Sequence, residues 1–359
     1  MTIRYYLALL AVPILASCDR PGPSELGTPT SILGTCQECG LDLEGTFELQ
    51  DHPDFPVGLP ADVTYRSGRY YVVFSDTPTR IIAYDSSGVP QFAWGREGQG
   101  PGEVRVIQSV NWVGDSLHVL DGANSRHLVL DTALQVVKET RIEIRPGTRS
   151  GAVVDGDLLV AGRLLAPGND TGLHVIGDNG MVQESFFPLG SHRLGHILWA
   201  EPLPGGDLLV GRYWDGSLSL VRRGEEDASQ LLLERPPWFE PVAPARPQGV
   251  SEGGPLPEPH AALRDIAVEA PAVAWTLSQT PRSDWRERAA GDDRPPPDAR
   301  VGAVVEAISL TTGDVLGHLE LWGFPAQFAR PGEVVLYNTS SAGLPSVTVV
   351  RLRLAAEVP

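Results

Sequence analysis

Short runs of alternating apolar and polar residues fill most of the chain, and the same order of runs recurs six times. Each copy has an alternating apolar strand, a small polar turn, a second strand, a polar gap, a third strand and a turn rich in Asp, Gly or Ser. Alternation with a period of two is typical of half-buried β-strands. The copies cover residues 62–88, 109–131, 153–180, 200–221, 266–313 and 327–351.

Repeats spaced by roughly 40 to 50 residues indicate a β-propeller, in which each repeat is one blade of four strands. A single copy cannot bury its own apolar face, so neighbouring copies must stack into one domain. The sixth copy lacks an outer strand, and the apolar segment 41–49 stands alone before the first copy. We therefore predict an all-β fold: a single six-bladed propeller over residues 41–359, with its ring closed by this N-terminal strand.

The segment before the propeller has the pattern of an export signal. Arg4 precedes an apolar run from Tyr5 to Leu15, which is too short for a membrane-spanning helix of about 20 residues. The sequence Leu-Ala-Ser-Cys that ends at Cys18 resembles the bacterial lipobox, and the resemblance implies cleavage before Cys18 and acylation of that residue. Residues 1–17 are thus predicted to be a lipoprotein signal peptide and residues 18–40 a flexible tether. We expect an exported protein that is lipid-anchored to a bacterial membrane, on its periplasmic or cell-surface face.

Two further cysteines, Cys36 and Cys39, lie within the predicted tether. An even pair in an exported protein indicates a small disulfide. Redox-active thiols are a second interpretation, but no helix of a βαβ unit follows the pair. A zinc site is a third, for which His52 is the nearest additional ligand and nothing completes the set.

One segment resembles a known family. Residues 92–104 include Gly98-Gln99-Gly100-Pro101-Gly102-Glu103-Val104, which resembles the Gly-x-Gly-Pro-Gly-Glu-Phe signature of bacterial six-bladed propeller lipoproteins, related to the NHL and TolB-like propellers. Val104 replaces the usual Phe, and Arg330-Pro-Gly-Glu333 is a faint echo of the motif. The resemblance implies a six-bladed propeller in the cell envelope and no defined activity. We interpret the motif as a blade linker that sets the geometry between blades rather than as a ligand-binding loop. Its residues are Arg96, Gly98, Gly100, Pro101, Gly102 and Glu103.

Two long loops interrupt the repeats. Residues 236–259 are rich in Pro and Gly, and residues 282–300 carry both signs of charge and three consecutive prolines. Loops of this length are usually functional or disordered. The composition favours mobile decoration over a lid or a partner-binding loop.

Charge and composition exclude some classes of function. The chain has 45 acidic and 28 basic residues and a net charge of −17, which argues against nucleic-acid binding and against docking by charge onto an anionic bilayer. The 42% hydrophobic content is that of a globular protein. With 39 Gly and 32 Pro, the chain favours strands joined by turns over long helices.

The sequence contains no nucleophile elbow, zinc-protease helix motif, phosphate-binding loop or helical calcium loop. His192 and His196 have metal-like spacing, but this is a weak signal among strands and turns. The starts of the inner strands would face a central tunnel and could form a site for a metal or a small polar ligand, although a water-filled polar tunnel explains them as well. The residues at these positions are Asp62, Arg105, Gln108, His196, Trp199, Arg264, Asp265 and Gln327.

Two classes of function remain. The favoured hypothesis is a binding or scaffold module, a monomeric domain without a cofactor that presents a rigid disc to a protein, peptide or glycan partner. The alternative is a metal-assisted hydrolase, lactonase or lyase that holds calcium or zinc in the tunnel. The sequence favours binding over catalysis.

Overall fold

The structure is a computed structural model that describes residues 40–154, 157–164, 171–188, 198–222, 229–233, 239, 259–269, 272–288, 296–340 and 343–355. The predicted lipidation site Cys18, the pair Cys36 and Cys39, and the histidines His192 and His196 lie outside these residues. No helix in the described ranges is long and apolar enough to span a membrane.

Nearly all of the regular structure is β-strand. The strands of the first half of the chain are β1 (Leu41–Glu48), β2 (Pro60–Arg66), β3 (Arg69–Phe74), β4 (Ile81–Asp85), β5 (Pro90–Trp94), β6 (Ile107–Val113), β7 (Ser116–Asp121), β8 (Arg126–Leu130), β9 (Val136–Arg141), β10 (Ile144–Val154), β11 (Asp157–Leu164), β12 (Thr171–Ile176) and β13 (Val182–Pro188). The strands of the second half are β14 (Leu198–Pro202), β15 (Leu208–Arg212), β16 (Leu218–Val221), β17 (Ser229–Leu233), β18 (Ala262–Glu269), β19 (Val273–Pro281), β20 (Val301–Ser309), β21 (Val315–Leu321), β22 (Phe324–Arg330), β23 (Glu333–Thr339) and β24 (Pro345–Leu354). One helical turn, α1 (Trp285–Arg288), and a 3₁₀ turn at Pro297–Ala299 lie between β19 and β20.

The strands form six antiparallel sheets of four, which confirms the predicted six-bladed propeller. Blades 1 to 5 are β2–β5, β6–β9, β10–β13, β14–β17 and β18–β21, each in chain order. The first strands of successive blades contact one another all the way round: β2 with β6, β6 with β10, β10 with β14, β14 with β18, β18 with β22, and β22 with β2. These six strands are the inner strands that surround the axis of the ring.

Blade 6 closes the ring as the sequence predicts. Its order is β22-β23-β24-β1, so the isolated N-terminal strand supplies the missing outer strand. The strand β1 pairs antiparallel with β24 from Leu41 beside Leu354 to Glu48 beside Thr348. A ring sealed in this way leaves only short, protected sheet edges.

The core consists of layers between the blades. The buried apolar side chains that the structure describes fall into six clusters, and each cluster joins two neighbouring blades. The cluster between blades 6 and 1, for example, packs Val63 and Tyr70 against Val335 and Val349. No blade therefore has a core of its own, and the repeats stack because each buries its faces only against its neighbours.

The disc has two faces. The upper face is defined by the starts of the inner strands, such as Phe324, and by the turns between the second and third strands. The lower face carries the turns between first and second strands. In blade 6, Arg330 pairs with Glu333 at the lower face, beside Arg351 and the start of β1. The amide of Ala355 donates to the carbonyl of Gly40 at 2.6 Å, so the described chain begins and ends at the lower face.

A buried ionic network ties blade 6 to blade 1. The Glu333 carboxylate accepts hydrogen bonds from Tyr70 Oη (2.8 Å), Arg330 (2.6 Å) and Arg351 (3.1 Å). Burial raises the pKa of Tyr70 to about 12, so its phenol stays a donor. The segment Arg330 to Glu333 resembles the linker motif in sequence. It forms the hairpin between β22 and β23 within blade 6, whereas the linker itself joins β5 of blade 1 to β6 of blade 2.

Candidate functional site

The linker between β5 and β6 is folded around the carboxylate of Glu103. The Gly100 amide donates to its Oε2 at 2.8 Å, and Arg96 Nη2 lies 2.6 Å from its Oε1. These contacts hold the pKa of Glu103 below its usual range. A Cβ on Gly98 would lie 1.9 Å from Glu103 Oε2, and Gly102 has a φ of +70°. The glycines are therefore needed for a close approach and for a left-handed turn.

A buried guanidinium from blade 2 holds this linker. Arg126, whose side chain is 10% exposed, donates to the carbonyl of Gly100 at 3.1 Å and also to the carbonyl of Glu103. The same guanidinium pairs with the Glu139 carboxylate on β9 at 2.5 Å. One cation thus satisfies backbone groups of the linker and binds it to the outer strand of the next blade.

The fully buried Asp121 completes this arrangement at the end of β7. Its carboxylate accepts hydrogen bonds from the amides of Arg105 and Val106, both at 3.2 Å, and from Asn124 Nδ2 at 2.6 Å. Asn124 also donates to the carbonyl of Gly98 at 3.0 Å. The linker motif is structural in these contacts, and the exposed Arg105 enters them only through its backbone.

Two of the carboxylates assigned to the tunnel by position bind backbone amides of the following blade. Asp62 on β2 accepts from the Val110 amide on β6 at 2.6 Å. Asp265 on β18 accepts from the Phe328 amide on β22 at 2.8 Å. Each side chain follows a bulge in its inner strand and reaches across the blade interface.

Gln327 occupies the same place in blade 6. Its Oε1 accepts from the Val63 amide at 3.1 Å, and its Nε2 donates to the Val63 carbonyl at 3.0 Å. Among the other tunnel candidates, Gln108 has a buried Oε1 without a hydrogen-bond partner in the described part of the chain.

The substitution Asp265→Asn is expected to lower the free energy of unfolding by about 2 kcal/mol, because an amide nitrogen would replace one of two oxygens that accept charge-assisted hydrogen bonds from backbone amides. Urea unfolding followed by tryptophan fluorescence would measure the loss. Asp62→Asn should show a similar loss, since it makes the same pair of contacts. Equal stability of both variants and the parent protein would contradict the inter-blade role.

Aromatic rings and cations gather on the upper face of blades 4 to 6, at the rim of the axis. The Trp199 and Tyr213 ring centroids lie 6.2 Å apart, and those of Tyr213 and His260 lie 6.4 Å apart. The Arg264 guanidinium lies 4.8 Å from the centroid of the Phe324 ring. We call this group the aromatic–arginine cluster, and its members are Trp199, Tyr213, His260, Arg264, Arg300 and Phe324.

The cluster contains polar atoms that the protein leaves unsatisfied. Within the ranges that the structure describes, Arg264 Nε, Trp199 Nε1 and His260 Nε2 are buried and have no hydrogen-bond partner. Most buried polar atoms in native proteins are paired, so three such atoms in one cluster are unusual. Tyr213 hydrogen-bonds the Arg264 side chain, which fixes one end of the guanidinium.

The electrostatics of the cluster are dominated by its two arginines. Burial lowers the pKa of His260, and the nearby charges of Arg300 and Arg264 lower it further, so the ring is neutral at pH 7. Burial also lowers the pKa of Arg264, although Tyr213 and Asp265 oppose this shift. Arginine starts from so high a pKa that its guanidinium remains charged.

The loop 282–300 borders this cluster, and its described ends are fixed in place. Arg282 lies 3.5 Å from the Trp322 ring centroid and makes two hydrogen bonds to Asp284, at 2.9 and 3.0 Å. Asp298 accepts from both the amide and the hydroxyl of Thr339 at 2.9 Å. These contacts tie the described ends of the loop to blade 6, one just before β22 and the other at the end of β23. The described ends are therefore held in place, unlike the mobile decoration that the composition favours.

Deeper along the axis, two carboxyl groups interact between blades 4 and 5. Burial, together with the Asp265 carboxylate, raises the pKa of Glu201 on β14 to about 8. Glu201 is thus largely protonated at pH 7 and can donate a hydrogen bond. In the described ranges, no three His, Cys, Asp or Glu side chains are grouped so as to hold a metal ion.

A separate polar cavity of about 150 Å³ lies between blades 2 and 3. His118 Nδ1 and His127 Nε2 are 3.0 Å apart there, and their rings stack. Lys138, which is the chain's single lysine, and the acids Asp157 and Asp178 also line the cavity, with Lys138 paired to Asp178. Burial lowers the pKa of both histidines, that of His127 to about 3, and Lys138 adds to this shift.

This histidine pair predicts a loss of stability in acid. His127 is neutral in the folded protein, while in the unfolded chain its pKa is near 6.5, so between pH 6.5 and about 3 the unfolded state binds more protons. At a limiting slope of about 1.4 kcal/mol per pH unit, this group alone should remove roughly 2 kcal/mol between pH 6.5 and 4.5. Urea titrations at several pH values would measure the slope. The variant His127→Gln should flatten it by about one proton, and an unchanged slope would rule the assignment out.

Several of these residues escaped the sequence analysis. Trp199 and Arg264 are named there, but Tyr213, His260, Arg300 and Phe324 are not. The first three lie in turns and linkers beside the strands, and Phe324 is the first residue of β22. The group Asp121, Asn124 and Arg126 is also missed. Its signal is present, since a polar Asp-Gly-Ala-Asn-Ser-Arg turn follows a buried strand and its acidic and basic ends could pair.

Comparison with solved structures places the chain among propellers. A Bacteroides vulgatus protein of the DUF4221 family superimposes with a TM-score of 0.61 at 10% identity, over 89% of this chain and 100% of that one. A Bacteroides fragilis protein described as a candidate exported protein gives a TM-score of 0.55 at 11% identity, over 87% and 95% of the two chains. The virginiamycin B lyase of Staphylococcus aureus covers 86% of this chain and 99% of its own length at 10% identity, with a TM-score of 0.47.

Identities this low show the fold and nothing more specific. No family profile matches the sequence, and no curated protein matches it. The similar structures include a candidate exported protein, a DUF4221 protein and a lyase, and they assign no particular function to this chain.

Proposed function

We propose that this protein is a lipid-anchored propeller of the bacterial cell envelope that binds a protein, peptide or glycan partner at the aromatic–arginine cluster. The observation that carries the proposal is the set of three buried, unpartnered nitrogens, on Arg264, Trp199 and His260, within one group of aromatic rings. Aromatic and apolar side chains with a few convergent polar groups are the usual lining of ligand sites.

Two observations support the envelope location. The lipobox-like sequence that ends at Cys18 follows an export signal, and several acyl chains on one residue anchor stably where one would not. The Bacteroides fragilis protein, which shares the fold, is itself described as exported. The domain is proposed to act as a monomer, because β1 already closes its ring and leaves no long open edge.

Photocrosslinking in intact cells tests the proposal. A photoreactive residue at the exposed Ser283, on the upper face beside the cluster, should give a discrete adduct with the partner. The same residue at the exposed Thr132, in a lower-face turn, is the matched control and should give none. Equal adducts from both positions would contradict a site on the upper face.

In the Cys18→Ser variant the protein should leave the membrane fraction, and retention there would contradict the anchor.

A metal-assisted hydrolase, lactonase or lyase in the tunnel is the second candidate. Glu201 favours it, because a carboxyl whose pKa is raised by burial to about 8 can exchange protons near neutral pH. Elemental analysis of the purified chain, dialysed without chelator, tests this candidate. Stoichiometric calcium or zinc would support it.

A further inference from the structure

We propose that the aromatic–arginine cluster binds an organic anion, in which an oxyanion group, carboxylate or phosphate, is carried on a ring-shaped body. This inference rests on the proposed function, because it names the chemistry of the ligand at the same site.

The charges around Arg264 favour an anion. The neighbouring carboxylate of Asp265 is engaged on both oxygens, since it accepts from the amides of Ile266 (3.0 Å) and Phe328 (2.8 Å). Glu201 is largely uncharged at pH 7. Arg300 is close enough to act electrostatically on His260, as Arg264 does. Arg264 and Arg300 thus bring two guanidinium groups near His260, and the carboxylate beside Arg264 already accepts two backbone hydrogen bonds.

The unsatisfied nitrogen atoms can all donate hydrogen bonds, and an oxyanion needs such donors. Arg264 Nε and Trp199 Nε1 each carry a hydrogen that can only be donated, and His260 Nε2 can carry one as well. The acceptors that would complement them are the lone pairs of a carboxylate or phosphate group. The planar arginine fork binds such oxygens strongly, and Tyr213 already positions it from the side.

The rings define the rest of the ligand. Trp199 and Tyr213 stand next to one another at an interplanar angle of 48°, and Phe324 lies beyond Arg264. Trp199 and Tyr213 also pack in the apolar cluster between blades 4 and 5, which holds their rings in place. Aromatic rings pack well against flat or ring-shaped groups and exclude water, which strengthens charged contacts. A bare inorganic ion would make no such contact.

Ligand-observed ¹⁹F NMR on the purified full chain tests the inference with three probes of one shape. These are 4-fluorobenzoate, 4-fluorophenyl phosphate and the neutral 4-fluorobenzyl alcohol. We expect at least one of the two anions to bind, and to bind about tenfold or more tightly than the alcohol. Which anion binds better identifies the oxyanion group.

Variants then locate the binding. Arg264→Gln should weaken binding of the anion by about ten- to hundredfold, because a charged hydrogen bond is lost. Arg80→Gln is the matched control, since it removes an exposed arginine from a turn on the same face at blade 1, and it should bind as the parent does. Trp199→Phe keeps a large ring but removes the Nε1 hydrogen, and it should weaken binding several-fold. If thermal unfolding shows that Arg264→Gln is not folded, the affinity of Trp199→Phe for the anion decides whether binding occurs at the cluster.

The possible failures are distinguishable. Equal binding of the alcohol and the anions to the parent protein would overturn the anion inference while leaving the cluster as a ligand site. Anion binding that survives in both Arg264→Gln and Trp199→Phe would overturn the placement. If none of the three probes binds, the inference is overturned, and a partner adduct at Ser283 would then show that the proposed function survives without it.

Discussion

Replacing Arg126 with leucine is expected to lower the free energy of unfolding by about 3–5 kcal/mol, because one buried charge would be removed and its partners left behind. Asp121 and Glu139 would lose their cation, and the carbonyls of Gly100 and Glu103 would lose a donor. Asp121 is fully buried and cannot turn to water. Urea unfolding followed by tryptophan fluorescence would measure the midpoint and the slope.

Arg353→Leu is the matched control for this prediction. Arg353 pairs with Asp42 at 3.4 Å, but its side chain is 62% exposed, and exposed pairs contribute about 1 kcal/mol or less. The loss of unfolding free energy in Arg126→Lys should lie between the losses in Arg126→Leu and Arg353→Leu. Lysine keeps the charge but has fewer donors in a less suitable geometry. A loss below about 1 kcal/mol in Arg126→Leu would show that the linker does not depend on this guanidinium.

Removal of β1 is expected to lower Tm by about 10 °C or more, which corresponds to roughly 6 kcal/mol for a domain of this size. The strand contributes its ladder with β24 and the ring of Phe47, which packs 5.3 Å from Tyr70 and beneath the Arg351 guanidinium at 4.9 Å. Its loss would also expose the edge of β24 to pairing with other chains.

Two shortened proteins separate the strand from the segment before it. A protein that lacks residues 1–39 retains β1 and should melt as the parent domain does, whereas one that lacks residues 1–48 should not. A synthetic peptide of residues 40–49 should restore part of the loss by adding a strand in trans. If the two shortened proteins melt within about 2 °C of each other, the ring does not depend on β1.

The architecture was predictable because it depends on features that sequence records directly. Alternation marks each strand, repeats mark each blade, and an incomplete sixth copy together with a spare strand at residues 41–49 indicates how the ring closes. These are properties of many residues at once, so no single substitution obscures them.

The site was harder to predict because it depends on where individual side chains point. Asp62, Asp265 and Gln327 follow bulges or register shifts in the inner strands, and one extra residue reverses the face on which the next side chain lies. Position at the starts of the inner strands assigned them to the tunnel, while in the structure they bind backbone groups of the neighbouring blade. Arg126 is one of 28 basic residues, and nothing local to it distinguishes a buried cation from an exposed one.

The described residues begin and end on the face opposite the aromatic–arginine cluster. Gly40 and Ala355 meet at the lower face, on the outer side of blade 6, whereas the cluster lies on the upper face of blades 4 to 6. A lipid attached through the segment before Gly40 would therefore join the disc on the side away from the cluster. A partner could then reach the cluster without displacing the tether.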